Sequence, residues 1–559
     1  TLLSRQLVMG FSGSSKAVVM ASALSEQVPK ILIVTSTQNE AEQLTGDLSA
    51  ILGEDKVYSF FADDVVAAEF IFASPEKTHS RLESLNFLMD KESSGILVTS
   101  LVGTKLHLPN PEVYKDSRID LTLGEEHDLE ALSKHLTHIG YQRVEQVLSP
   151  GEFSRRGDIL DIYELTAELP YRLEFFGDEI DGIRQFDSDS QKSLDNLEHV
   201  IVSPADDIIL TREDYQRAEK ALESAVSKAE GPHKAYLEEV LSVTIDGYRH
   251  KDLRKFLSLF YDKAYTLFDY LPKGTPVFID DFQKIVDRHG RLELEVANLL
   301  TEDLHQGKSL SHLNYLVDSF KTLRNYQPAS FFSNFHKGLG NLKFDKLYQF
   351  TQYPMQEFFN QFPLLVDEIH RYTKNKATVI LQVGSEKQLK SLKETLEEYD
   401  LDLPLSSFGD LIPHKPQLVL GNLSNGFYFA DEKLVLVTER EIFHKKVKRR
   451  ARASHVSNAE RLKDYNENEK GDYVVHQTHG IGQFKGIETI EIKGVHRDYL
   501  TIQYQDAATI SLPVEQIESL SKYVSADGKE PKINKLNDGR FQKTKQKVSK
   551  QVEDIADDL

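Results

Sequence analysis

The eight residues Gly10-Phe11-Ser12-Gly13-Ser14-Ser15-Lys16-Ala17 come close to the pattern G-x-x-x-x-G-K-[ST]. In a working loop of this kind the backbone cradles phosphates, the lysine reaches the terminal phosphates and the hydroxyl holds Mg²⁺. The chemistry would be hydrolysis of ATP. Two positions fail. Ser15 stands where a glycine lets the backbone approach phosphate, and Ala17 stands where a hydroxyl ligates the metal. A second candidate is Thr275-Pro276-Val277-Phe278-Ile279-Asp280-Asp281, an apolar strand ending in two acids. Such a pair holds Mg²⁺ and activates water, but Asp281 stands where a glutamate is needed. With the loop already defective, the pair reads as a solvated strand end. His476 and His479 invite a metal reading, yet no carboxylate or cysteine nearby completes a ligand set. The expectation is a relic phosphate loop with no catalytic residue and no metal.

The elements that must position these residues are alternating strands and helices. Ile31–Thr35 and Gly95–Ser100 read as buried parallel strands with helical periodicity between them. From Gly140 to Asp187 the pattern changes to short strands and turns. Ile159–Tyr163 and Tyr171–Phe176 alternate apolar and polar residues, and Gly177-Asp178 and Asp181-Gly182 are turn pairs. This is a small antiparallel sheet carrying arginines and an exposed-looking aromatic, which makes it a binding surface. Ser203-Pro204 ends it, and residues from about 211 to 265 are helical in pattern. A second α/β pattern follows, with strands at Ala377–Val383, Gln417–Leu420 and Lys433–Thr438 and a helix capped by Ser385; it holds no recognisable chemistry. Lys445–Arg452 is a concentrated basic run, either a phosphate contact or a solvated linker. From Gly471 short strands separated by glycine turns read as a small barrel, and a basic helix closes the chain from Lys529 to Leu559.

At 559 residues the chain needs several cores. Its 40% hydrophobic and 28% charged content is that of globular protein. The net charge of −21 argues against wrapping nucleic acid by bulk electrostatics. There is no cysteine, hence no disulfide or thiolate metal site, and no apolar run of bilayer length, so a cytoplasmic protein without a membrane partner is expected. A start at Thr1 and an end inside a helix-like run read as part of something longer.

Two stretches carry family resemblances. GEFSRRGDILDIY followed by PYRLEFFGDEIDGIRQFD resembles the second domain of the excision-repair protein UvrB, and more closely the matching module of bacterial transcription-repair coupling factors. VVHxxHGIGxFxGI, with DYLxIxY and LPVEQ, resembles the RNA-polymerase-interacting domain of those factors, which is shared with CarD-type regulators. The family order then covers essentially the whole chain. The resemblance implies a multidomain α/β protein: a degenerate helicase-like α/β domain (1–116 and 206–345) interrupted by a small antiparallel β-rich domain (117–205), a small α/β domain (361–443), a linker (444–470), a small Tudor-like β-barrel (471–528) and a helix (529–559) leading to an absent motor. It further implies that Arg156, Arg172 and Phe176 dock UvrA. The strand Ile487-Glu488-Thr489-Ile490-Glu491-Ile492, isolated as a short strand by Gly486 and Lys493-Gly494, would pair with the RNA polymerase β subunit. Gly10, Gly13, Ser15, Lys16 and Ala17 would form the degenerate loop. ATP, Mg²⁺ and double-stranded DNA would belong to the motor of the intact protein, with no cofactor in this chain, which is expected to be a monomer.

Two other readings compete. A UvrB-like helicase needs the phosphate loop that Ser15 and Ala17 deny. It also needs a long DNA-clamping hairpin, for which the route from Phe61 through Ser74-Pro75-Glu76 to Arg81 leaves no room. A free-standing CarD-type regulator would leave the preceding domains as surplus.

Overall fold

In the computed structural model, residues 5–444 are described apart from 12, 71–74, 189 and 334–341; beyond them the described residues are 473–476, 480–492, 495–505, 508–513, 520–522 and 533. The linker 444–470 past His444, with its basic run Lys445–Arg452, and the helix 529–559 apart from Ile533 lie outside the described residues. The chain forms two compact units, Thr1–Val456 and Ser457–Leu559.

The first unit is organised on a seven-stranded sheet. Its order is Lys346–Gln349, Arg5–Met9, Ala329–Ser333, Val277–Asp280, Lys30–Thr35, Gly95–Ser100 and Val57–Phe60, and every pairing is parallel. KILIVT, GILVTS and VFID are buried at every position, as strands covered on both faces must be. Strands from before and after the inserted module lie side by side, so the insertion interrupts one sheet. Helices Arg212–Val226, Gly231–Ile245 and Leu253–Phe260 fill the expected helical stretch.

The inserted module enters and leaves through an antiparallel pair, Ile119–Thr122 with His199–Val202. Its six-stranded sheet runs Ser193–Leu197, Glu179–Phe186, Tyr171–Phe176, Ile159–Ile162, Glu152–Arg156 and Gln142–Arg143. One face packs Phe153, Leu160, Ile162, Leu173, Phe175 and Ile183 against Leu129, Leu132 and Leu136 of the helix Leu129–His138. Asp128 caps that helix by accepting from the amides of Glu130 and Ala131 at 2.8 and 2.9 Å.

The third sheet runs Gln352–Pro354, Phe427–Phe429, Leu434–Val437, Thr378–Val383, Pro416–Leu420 and Leu405–Ser406, parallel in its centre with an antiparallel edge. Ile380, Val419, Leu423, Phe427, Phe429 and Leu436 share one core cluster with Val8, Phe11, Ala17 and Ile33 of the first sheet. In the second unit the strands Thr509–Pro513, Val495–Gln503, Gly480–Ile492, Tyr473–His476 and Leu520–Lys522 form one antiparallel sheet in that order.

A buried charge network joins the two halves of the interrupted domain where the chain leaves the inserted module. Arg81, fully buried, donates to Glu69, to Asp207 at 2.9 Å and to the Phe61 carbonyl at 2.8 Å. Arg254 pairs with the same Asp207. Burial pushes the Asp207 carboxyl up, but Arg254 and Arg81 outweigh it and hold it far below the usual carboxylate range. Replacing Arg81 by Met leaves Glu69 buried without its cation and is expected to cost about 3–5 kcal/mol, read as a lowered melting temperature. Because the folded-state pKa of Asp207 is depressed, its contribution is complete above the unfolded value of about 3.9 and is lost as pH falls below that. A melting series from neutral pH down to about pH 3 should lose less stability in Asp207→Asn than in the unmodified protein; equal slopes overturn this account.

Candidate functional site

The relic loop follows the strand Arg5–Met9, at the carboxyl end of the sheet, where ligands of parallel sheets bind. Gly10 has φ +96°, and a Cβ there would lie 2.1 Å from the Phe350 carbonyl oxygen. Gly13, at φ +57°, precedes the helix Ser14–Ala21 and faces Asn425, whose Cβ a side chain at position 13 would meet at 3.1 Å. The structure brings Lys16 and Asp280 together: Lys16 Nζ lies 2.6 Å from Asp280 Oδ1, with the two side chains 17% and 11% exposed. Asp280 is therefore not the solvated acid the strand-end reading supposed; its charge is matched by the lysine that would otherwise meet phosphate. Asp281 adopts φ 55° and caps the helix Phe282–His305, accepting from the Lys284 amide at 3.4 Å.

A loop of the third sheet lies against the same place. Ser14 Oγ donates to Asp47 Oδ2 at 2.8 Å and accepts from the Asn425 amide at 2.9 Å. Asp47 Oδ1 accepts from the amide and hydroxyl of Ser424 at 2.9 and 2.7 Å. Ser15 is buried, and Ala17 packs in the shared core with Leu423 and Phe427. Phe11 meets the rings of Phe350 and Phe429 at 4.6 and 5.7 Å. The methyl of Ala17 thus serves packing where a nucleotide site would need a hydroxyl. Among the described residues no group of three His, Cys, Asp or Glu side chains could hold a metal ion. His479 lies outside those residues.

The second constellation is on the outer face of the inserted sheet. Along Tyr171–Phe176, Leu173 and Phe175 point into the core, so Arg172, Glu174 and Phe176 share the opposite face. Phe176 ends its strand, pairs with Glu179 across the Gly177-Asp178 turn and is 82% exposed, so it is not a core residue. Arg156 and Arg172 converge on Asp161. Arg156 donates to Asp161 Oδ2 at 2.6 Å; Arg172 donates through Nε to Oδ1 at 2.7 Å and through a terminal nitrogen to Oδ2 at 2.9 Å. The fork raises the Arg172 pKa further, chiefly by its hydrogen bonds to Asp161.

Alternation along Ile159–Ile162 puts Asp161 on the solvent side, yet its side chain is 0% exposed. Two guanidinium groups cover it. Arg172 also stacks on Phe186, 4.4 Å from the ring centroid, and donates to the backbone and side chain of Gln191 at 3.2 and 3.3 Å. Sequence reading missed Asp161, Gln191 and the Ser424-Asn425 contact. The only signals were an acid within a strand and an Asn-Gly turn pair.

The third candidate, Ile487–Ile492, is described in its backbone only; its side chains lie outside the described residues. It is not an isolated short strand. It is the second half of the strand Gly480–Ile492, and Gly486, at φ +127°, marks a bulge within that strand. Residues Ile487–Ile492 pair with Val495–Leu500, while Tyr473–His476 meets this strand only along Gly480–Gln483. Among the described residues, the other edge of 486–492 has no strand beside it.

Comparison with known proteins agrees with this division. Residues 119–207 match the UvrB interaction domain, 372–442 the MFD D3 domain and 469–524 the CarD-like/TRCF RID domain. The transcription-repair-coupling factor of Bacillus subtilis (strain 168) is 34% identical across all of this chain and 48% of its own length. Those of Staphylococcus haemolyticus (strain JCSC1435) and Staphylococcus aureus (strain bovine RF122 / ET3-1) are each 31% identical over 99% of this chain and 48% of theirs. The chain spans about half the length of the curated relatives it matches. With three family domains in order and a match along its whole length, the chain is similar throughout to about half of a transcription-repair-coupling factor.

Proposed function

We propose that this chain is the recruitment part of a transcription-repair coupling factor. It docks UvrA through the outer face of the inserted sheet and RNA polymerase through the strand edge at 487–492, and it hydrolyses no ATP. In the intact protein, a motor beyond the matched half would use ATP and Mg²⁺ to translocate on double-stranded DNA and release a stalled polymerase. The observation that carries the reading is Phe176, 82% exposed at a hairpin tip on the face that also displays Arg156. A large exposed aromatic beside a guanidinium is the composition of an interface anchor. The open edge at 487–492 supports strand addition by a partner, with main-chain hydrogen bonds supplying affinity. Closure of the second unit's sheet into a small Tudor-like barrel belongs to the same reading. The pairing of Lys16 with Asp280 and the approach of the Ser424-Asn425 loop support an inert first domain.

Three measurements test this. Phe176→Ala should weaken UvrA retention in a pull-down by about 1–4 kcal/mol of binding free energy with the fold intact; unchanged retention overturns the docking face. DNA-stimulated phosphate release by the chain should equal that of Lys16→Ala, and a turnover that disappears with Lys16→Ala refutes the inert reading. Ile490→Arg should abolish co-elution with RNA polymerase while shifting stability by less than about 0.5 kcal/mol; retained co-elution, or an unfolded domain, counts against the edge.

A further inference from the structure

Arg172 has little left to offer a partner. Its side chain is 13% exposed, its fork is held by Asp161, Gln191 accepts two more of its hydrogen bonds, and Phe186 lies beneath it. Arg156 differs: one nitrogen is held by Asp161 while 48% of the side chain remains exposed. Asp161 carries one negative charge against two cations, so the cluster displays a net positive charge at its open end, on Arg156. We propose that Asp161 is a positioning residue of the UvrA-docking face: anchored by Arg172, it holds the Arg156 guanidinium ready for a carboxylate of the partner. This rests on the docking reading above and adds a division of labour to it.

The physical basis is preorganisation. A free arginine loses rotamer freedom on binding, and that loss subtracts from affinity. Here the loss is taken during folding, because the bond to a buried carboxylate fixes the side chain beforehand. Gln191 supports the anchor from a left-handed backbone conformation, φ 59°, and donates through Nε2 to the carbonyls of Val147 and Ser188 at 3.1 and 2.7 Å. That brings the residues after Phe186 over Arg172 and shields the carboxylate from water. Asp161 touches no partner; it acts through Arg156.

The test is a double-mutant cycle on the 559-residue chain, with UvrA affinity and the melting temperature measured for each variant. Asp161→Asn keeps the shape and removes the charge. It should weaken UvrA binding about tenfold, as loss of a charge-assisted hydrogen bond does. In an Arg156→Ala background the same change should weaken binding by less than about twofold, because the group it positions is gone. A merely structural role would give the same loss in both backgrounds. Should Asp161→Asn prevent folding, Arg172→Lys replaces it in the cycle, keeping the charge and removing the fork; its loss should likewise vanish with Arg156→Ala. Equal losses in both backgrounds, or none in either, overturn the positioning role alone. If the unmodified chain fails to bind UvrA, or Phe176→Ala binds as well as it does, the docking reading fails and the positioning role falls with it.

Discussion

A guanidinium buried completely must be paired on every side, and Arg81 shows what that demands of the chain. Its partners are Glu69 from the first half of the interrupted domain and Asp207 just past the inserted module, and Asp207 is held in turn by Arg254 from the helices that follow. Taking any one of these charges out of water is costly, and their mutual attraction offsets the cost only when all are in place. The network is thus a register mark: three stretches far apart in sequence fit together in one arrangement. It also ties the chain, where it leaves the inserted module, to the parallel sheet.

The same constraint acts at two further places with different outcomes. At the loop Gly10–Ala17 it turns the charges inward: Lys16 and Asp280 neutralise one another. The loop keeps its shape because it now carries packing. Ala17 joins the core shared with the third sheet, Gly10 lets Phe350 approach and Ser14 receives the Asn425 amide. On the outer face of the inserted sheet the charges do not balance. Asp161 is outnumbered by two arginines, and the surplus appears at the surface.

Sequence reading reached as far as local patterns extend. Apolar runs such as Ile31–Val34 gave buried parallel strands, and the two-residue alternation with Gly177-Asp178 gave the hairpin that exposes Phe176. Alternation failed at Asp161, because burial there comes from arginines on two neighbouring strands and from residues after Phe186. No period within one strand reports such partners. It failed at Gly486 for a related reason. A glycine between apolar stretches signals either a strand end or a bulge, and only the partner strand's register distinguishes them. The Ser424-Asn425 contact with Ser14 spans about four hundred residues and had no local signature.

These features explain what the loop Gly10–Ala17 does for the parallel sheet around it. The frame's parallel sheet is assembled from both sides of the insertion, so its strands hold the inserted module by two connections, Ile119–Thr122 and His199–Val202. The third sheet is fixed to the same frame through the loop Gly10–Ala17. A nucleotide entering there would have to displace Asn425 and separate Lys16 from Asp280, losing packing and paired charge without gaining a metal ligand at position 17. The contacts that bury the loop Gly10–Ala17 are the ones that hold the third sheet to the parallel sheet, while the hairpin tip at Phe176 and the Arg156 guanidinium project outward from the inserted module.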